Sequence, residues 1–150
     1  MRSMHLLLVE DNDADVLLIQ EALAGLQEGV TLHIVHDGEE ALAFLRRLGP
    51  FADCPRPHFV LLDANTPKKN ALEVLGELRA EPSFQGLPVV VFSTSASPRD
   101  VMRCYEAGAN AYITKPLNLD EFLSAIENTL RFWASTALLP QSAPELPEPC

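Results

Sequence analysis

The chain has 150 residues, 47% of them hydrophobic, which suffices for one domain with a buried core. Its formal net charge of −10 denies it the cationic face that nucleic acid requires, so no nucleic-acid partner is expected. No window approaches the roughly 18 uninterrupted apolar residues of a spanning helix, and Met1-Arg2-Ser3-Met4 runs straight into a strand-like segment, so we expect a soluble cytoplasmic protein with no membrane contact.

The first strand is expected at His5–Val9, and it ends in the acidic pair Glu10-Asp11. A helix over about residues 14–26 then puts Val16, Ile19, Leu23 and Leu26 on one face at spacings of three and four. A second strand, Thr31–Val35, leads through Asp37-Gly38 into a helix of about Glu39–Leu48. Phe59–Leu62 reads as a strand buried on both faces, and Asp63 stands at its C-terminal end. The loop Ala64-Asn65-Thr66-Pro67-Lys68-Lys69 follows, then a helix over about Ala71–Arg79 that Asn70 can cap and that stops before Pro82. The fourth strand, Val89–Phe92, ends in Ser93. The fourth helix opens with Ser97-Pro98-Arg99-Asp100, a hydroxyl N-cap followed by Pro at the first helical position. A short strand, Ala111–Ile113, runs into Lys115-Pro116. The fifth helix starts at Asn118, with Glu121 completing a capping-box pattern and Leu119, Phe122, Ile126, Leu130 and Trp133 along one face.

Strands alternating with helical crossovers of a dozen residues specify an α/β fold: a doubly wound, five-stranded parallel sheet with helices on both faces. The order 2-1-3-4-5, flavodoxin-like, sets the ends of strands one and three side by side at the switch point, where such sheets carry their chemistry. The domain is expected to span 5–132, with 133–140 extending the last helix. Residues 141–150 hold Pro144, Pro147 and Pro149 just after Pro140, and are expected to form an extended or disordered arm. Cys54, Cys104 and Cys150 are odd in number and lack CxxC spacing, so neither a disulfide framework nor a zinc site is expected, and Cys104 reads as a small core residue.

Each strand-end residue taken alone has a plain structural use. Glu10-Asp11-Asn12-Asp13 could merely start a helix, Ser93-Thr94-Ser95 could be loop chemistry, and Lys115 could be a surface lysine at a turn. Their conjunction at one sheet edge points to chemistry. Crowded carboxylates raise one another's pKa, and a hard divalent cation such as Mg²⁺ (or Mn²⁺) resolves that, with oxygen ligands and room for a phosphate oxygen. Asp11 and Asp63 are the expected direct ligands, Glu10 a ligand through water, and the Asn65 backbone carbonyl a further oxygen. Asp63 is the best nucleophile, able to form an acyl phosphate. Lys115 and the Ser93 hydroxyl would attend the phosphoryl oxygens.

These residues resemble the receiver domain of the two-component response regulators. The resemblance runs from His5 to about Phe132 and rests on Leu8-Val9-Glu10-Asp11, Leu61-Leu62-Asp63 with Pro67, Val90-Val91-Phe92-Ser93, and Gly108 through Pro116. It implies that Asp63 accepts a phosphoryl group from the phosphohistidine of a sensor histidine kinase, with Mg²⁺ at Glu10, Asp11 and Asp63 and Lys115 paired to the acyl phosphate. It also implies switch roles for Ser93, with Thr94 beside it, and for Tyr112, and a Lys115–Pro116 bond that is often cis in relatives. Asn12-Asp13-Ala14-Asp15, Pro67-Lys68-Lys69 and the end from Phe132 to Pro140 resemble the stand-alone regulators that partner bacterial phytochrome kinases. One departure is Asn70-Ala71, where such receivers usually carry Asp-Gly, so the loop beside the site is expected to differ in shape.

Two other readings compete. A haloacid-dehalogenase-type phosphatase needs a second Asp two residues after the nucleophile, and Asn65 stands there instead. A receiver fold kept only for binding would leave the complete set of side chains without a use. The expectation is a phosphoacceptor that turns over no external metabolite. Trp133, Leu138 and Leu139 can fold back and lengthen the core packing of the last helix; the preferred expectation is that they and Phe132 lie exposed and are covered in a homodimer.

Overall fold

A computed structural model describes residues 4–26 and 29–140; the proline-rich arm expected over 141–150 lies outside the described residues. Five strands, β1 (Met4–Val9), β2 (Val30–Val35), β3 (Phe59–Asp63), β4 (Val89–Ser93) and β5 (Ala111–Thr114), form one parallel sheet in the order β2-β1-β3-β4-β5. The helices are α1 (Asp13–Ala24), α2 (Gly38–Arg46), α3 (Ala71–Ala80), α4 (Pro98–Glu106) and α5 (Leu119–Arg131). The expected alternation and strand order are both present.

Because side chains alternate along a strand, each buried strand feeds two cores. Leu7, Val9, Val60, Leu62, Val89 and Val91 face α2 and α3, with Cys104 of α4 in the same cluster. Leu6, Leu8, Phe59, Leu61, Val90 and Phe92 face α1 and α5. The strands at the middle of the sheet are apolar throughout because both of their faces are covered.

Helix starts follow the sequence closely. Asn12, Asp37, Asn70 and Asn118 each accept a backbone N–H of the first turn, and Asn70 forms a reciprocal capping box with Glu73. Ser97 holds the N-cap position of α4, yet its hydroxyl makes no cap bond; its own N–H donates to Ser95 Oγ at 3.2 Å. Pro98 at the first helical position is as expected.

The C-terminal segment departs from expectation in part. After Arg131 the helix widens into one π-helical turn, Phe132–Thr136, and the chain then runs extended from Ala137. Trp133 folds back onto the sheet, stacked on Phe59 with ring centroids 6.3 Å apart, and Leu139 is buried in the α1–α5 core. Only Phe132 and Leu138 of the four apolar side chains remain exposed, Leu138 at 91%. The extension of the last helix thus reaches Thr136 as a π-helical turn, and 137–140 run extended, with Trp133 and Leu139 lengthening the core. The cause is the uncovered lower part of the sheet, where Phe59 offers a flat apolar partner for an indole.

Two close approaches fix loops around this frame. A Cβ on Gly38, at the start of α2, would sit 2.1 Å from the Lys69 carbonyl oxygen, and the Gly38 N–H donates to the Pro67 carbonyl at 3.1 Å. The β3–α3 loop therefore lies directly on α2, where only glycine fits. At the opposite edge the Arg79 guanidinium donates to the carbonyls of Gly108 and Phe84 and to Asn110 Oδ1. Gly108 itself takes φ +110°, open to glycine alone.

Candidate metal and phosphoacceptor site

The C-terminal ends of β1 and β3 are neighbours, with Val9 opposite Leu62, so Glu10, Asp11 and Asp63 emerge side by side. One oxygen from each lies within 4.8 Å of the others. Glu10 is fully buried and Asp63 nearly so, while Asp11 is exposed. Backbone amides orient the pair: Asn65 N–H donates to Asp63 Oδ1 at 2.9 Å and Asn12 N–H to Glu10 Oε2 at 3.3 Å.

Lys115, from the loop after β5, closes the cluster. Its Nζ donates to Asp63 Oδ2 at 2.9 Å, to Glu10 Oε1 at 3.0 Å and to Asp15 Oδ2 at 3.0 Å, and lies 4.8 Å above the Phe92 ring. Burial would lower this ammonium's pKa, but the hydrogen bonds it donates to Asp63 and Asp15 outweigh it and raise the value above the ordinary lysine range. Burial, together with the hydrogen bond and charge of Asp63, pushes Glu10 up to about 8. Asp63 is held below its ordinary value: burial acts upward, but the bonds from Glu10, the Asn65 amide and Lys115 prevail. Of the two neighbouring carboxyls Glu10 is thus the one that holds a proton more readily.

That proton measures how much negative charge the site carries beyond what Lys115 offsets. The donors are all carboxylate oxygens, the set a hard cation takes, so the residues fit Mg²⁺ or Mn²⁺. Bound there, the cation would neutralise charge around a phosphoryl oxygen. The Asn65 carbonyl belongs to the same loop as the Asn65 amide that holds Asp63.

The other expected residues lie on the adjoining edge. Ser93 is buried at the end of β4, and its Oγ accepts the Ser95 N–H at 3.1 Å. Thr94 is exposed on the loop beyond it. Tyr112 of β5 donates its hydroxyl to the Ser95 carbonyl at 2.8 Å, and its N–H donates to Tyr105 Oη at 3.1 Å. Ser95 Oγ bonds to Asp100 Oδ2 at 2.6 Å. A cleft of about 300 Å³ between the β3–α3 loop and α4 is lined by Asn65, Ser93, Ser95, Asp100 and Tyr112 among others. Ala71 in place of glycine is accommodated as the first buried residue of α3, its N–H donating to the Ala64 carbonyl at 3.2 Å. Positive φ in this loop falls instead on Lys68, at 66°.

Sequence reasoning placed Ser95 beside the path of an attacking water and Asp100 in the first turn of the fourth helix, but joined neither Ser95 to Asp100 nor Asp15 to Lys115. Asp15 stands four residues after Asp11, a spacing that returns to the same side of a helix start, and that was its one available signal. Ser95 and Asp100 are joined only by the fold of their loop.

Comparison with known proteins agrees with this geometry. The response regulator receiver domain model matches residues 6–127. Response regulator Rcp1 of Synechocystis sp. is 42% identical over 135 residues, covering 90% of this chain and 92% of that protein. The crystal structure of the phosphorylated cyanobacterial phytochrome response regulator RcpA aligns with TM-score 0.89 and 44% identity, over 93% of this chain and all of the other. The Mn²⁺-bound form of Rcp1 gives 0.88 and 40%, over 92% and 99% of the two chains. Family model, relative and solved structures agree over nearly the whole chain: it belongs to the response regulator receiver family.

Proposed function

We propose that this chain is a single-domain phosphoacceptor, loaded on Asp63 by the phosphohistidine of a sensor histidine kinase and signalling through protein contacts. The observation that carries the reading is the 2.9 Å contact between Lys115 Nζ and Asp63 Oδ2 beside Glu10 and Asp11. An Asp63 oxygen attacks phosphorus, the imidazole leaves, and the bond to its nitrogen breaks as the acyl phosphate forms. Lys115 holds the nucleophile and then a phosphoryl oxygen, while Glu10, Asp11, Asp63 and the Asn65 carbonyl would hold the cation. Ser93 and Tyr112 meet at Ser95, so a phosphoryl group that draws in the Ser93 hydroxyl acts on the same loop that binds Tyr112. The protein turns over no separate metabolite, and its place of action is the cytoplasm, with its kinase.

The similarity to Rcp1 and RcpA over nearly the whole of each chain supports a phytochrome as the kinase. Exposed Phe132 and Leu138, with an apolar groove lined by Ala111, Ile113, Thr129, Phe132 and Trp133, support a homodimer through the α5 end. The test of the central reading is intact mass after incubation with acetyl phosphate and Mg²⁺, beside Asp63→Asn. One added phosphoryl group in the wild type, absent in the variant and absent after chelation, is expected. A folded wild type that gains no mass refutes it.

A further inference from the structure

We infer that Asp15 is a positioning residue that restrains phosphoryl loading: it occupies one N–H of Lys115 and sets a further carboxylate charge beside the incoming group. The inference rests on the phosphoacceptor reading above and extends it to a residue outside the acidic cluster.

A lysine ammonium has three N–H donors. Here three carboxylates take them, Glu10 and Asp15 at 3.0 Å and Asp63 at 2.9 Å. Glu10 and Asp63 belong to the group of oxygens that fits a cation, and Asp15 does not. A cation drawing on Glu10 and Asp63 relieves those two bonds to Lys115. The Asp15 bond has no such competitor and persists.

Asp15 is well placed to keep its hold. It lies in the first turn of α1, where its N–H donates to Asn12 Oδ1 at 3.0 Å, so its backbone is pinned. Its side chain is 20% exposed and that of Lys115 is 11%, so the pair is shielded enough to matter. The charge count makes the consequence clear. Glu10, Asp11, Asp15 and Asp63 face one ammonium, and a phosphoryl group brings a further charge of about −1.5 to −2. Glu10 and Asp11 repay their charge as ligands and Asp63 as nucleophile. Asp15 does neither. Its charge opposes the phosphoryl group, and its bond fixes the direction in which Lys115 offers the N–H groups that the cation frees. Both effects act on the same step.

The test uses the full chain at saturating Mg²⁺, with acetyl phosphate as donor and the initial rate of phosphoryl gain read by intact mass. Asp15→Asn keeps an acceptor oxygen and removes the charge; Asp15→Ala removes both. Asp15→Asn is expected to load about three- to tenfold faster than wild type at low ionic strength, and Asp15→Ala at least as fast. The gain should shrink in part in about 1 M KCl, since a partly shielded charge is screened less than an exposed one. A residue with a merely structural role would instead lower the melting temperature and slow loading, with no such salt dependence. Loading at or below the wild-type rate in Asp15→Asn, or a gain unchanged by salt, overturns the inference while leaving the phosphoacceptor reading intact. A wild type and an Asp15→Asn variant that both fail to load overturn the two together.

Discussion

Raising the pH should open the acidic cluster to a divalent cation, and Glu10 sets the scale of the effect. Its carboxyl is buried beside Asp63 and holds its proton up to about pH 8. A cation must displace that proton, so the apparent affinity climbs until Glu10 ionises unaided. With a pKa of about 8, roughly ten molecules in eleven carry the proton at pH 7 and about a hundred in a hundred and one at pH 6. The apparent Kd for Mg²⁺ should therefore fall about fiftyfold between pH 6 and pH 8, and binding at pH 7 should release about 0.9 proton. Calorimetric titrations at three pH values, in buffers of differing ionisation heat, measure both quantities. The stability of the metal-free fold moves the other way. Its Glu10 pKa lies above the ordinary 4.5, so the folded state binds a proton that the unfolded chain lacks. Stability falls as pH rises from about 4.5 to about 8, by at most about 1.4 kcal/mol per pH unit. Asp63, shifted downward, acts only below this window. Glu10→Gln should abolish the proton release and flatten both profiles. A wild-type Kd that changes less than about threefold from pH 6 to pH 8, with no proton released, would refute a protonated Glu10.

Three further outcomes test the frame around the site. Trp133→Ala removes the indole stacked on Phe59 and should cost about 2–3 kcal/mol, lowering Tm by about 5–10 °C, while Phe132→Ala on the exposed side should stay within about 0.5 kcal/mol; equal effects would show that the indole does not cover the sheet. Gly38→Ala drives a methyl into the Lys69 carbonyl, so thermal denaturation should show a lower Tm and calorimetry weaker Mg²⁺ binding as the β3–α3 loop shifts; unchanged values would mean that α2 does not set that loop. Arg79→Ala strands the Gly108 carbonyl and leaves the Phe84 carbonyl to the Leu87 N–H alone, and should cost about 1–3 kcal/mol, with hydrogen exchange rising first at 107–110; Arg79→Lys should recover little, since one ammonium cannot reproduce the fork.

The fold was legible because its signals are local and repeated. Apolar runs such as Leu6-Leu7-Leu8-Val9 state burial on both faces, and caps such as Asn70 and Asn118 mark helix starts within a residue. The strand-end residues followed from the topology, which brings Glu10, Asp11, Asp63, Ser93 and Lys115 to one edge. What stayed hidden depends on geometry at sequence distance. Asp15 and Lys115 are a hundred residues apart, and nothing in either stretch marks the other. The C-terminal segment read as an exposed apolar surface because a hydrophobic residue does not say which surface it will cover. Trp133 and Leu139 found the sheet; Leu138, next in sequence to one of them, did not. Ser97 shows the opposite failure: the right residue type stands at a cap position, yet Ser95 and Asp100 make the bonds.

The unequal fastening of α4 makes that helix a lever. Its one buried side chain is Cys104, near the C-terminal end, and just beyond that end Arg79 grips the Gly108 carbonyl. At the other end the cap hydroxyl is idle, and the first turn is tied to the β4–α4 loop through Asp100 and Ser95. A nine-residue helix is about 13 Å long, so tilting it by about 10° about the held end swings Pro98 by about 2 Å and barely moves Gly108. The free end is the one beside Ser93. A displacement of a few tenths of an ångström at the buried Ser93 hydroxyl would therefore reach the exposed outer surface enlarged, along a helix held mainly at its far end through Cys104 and Tyr105.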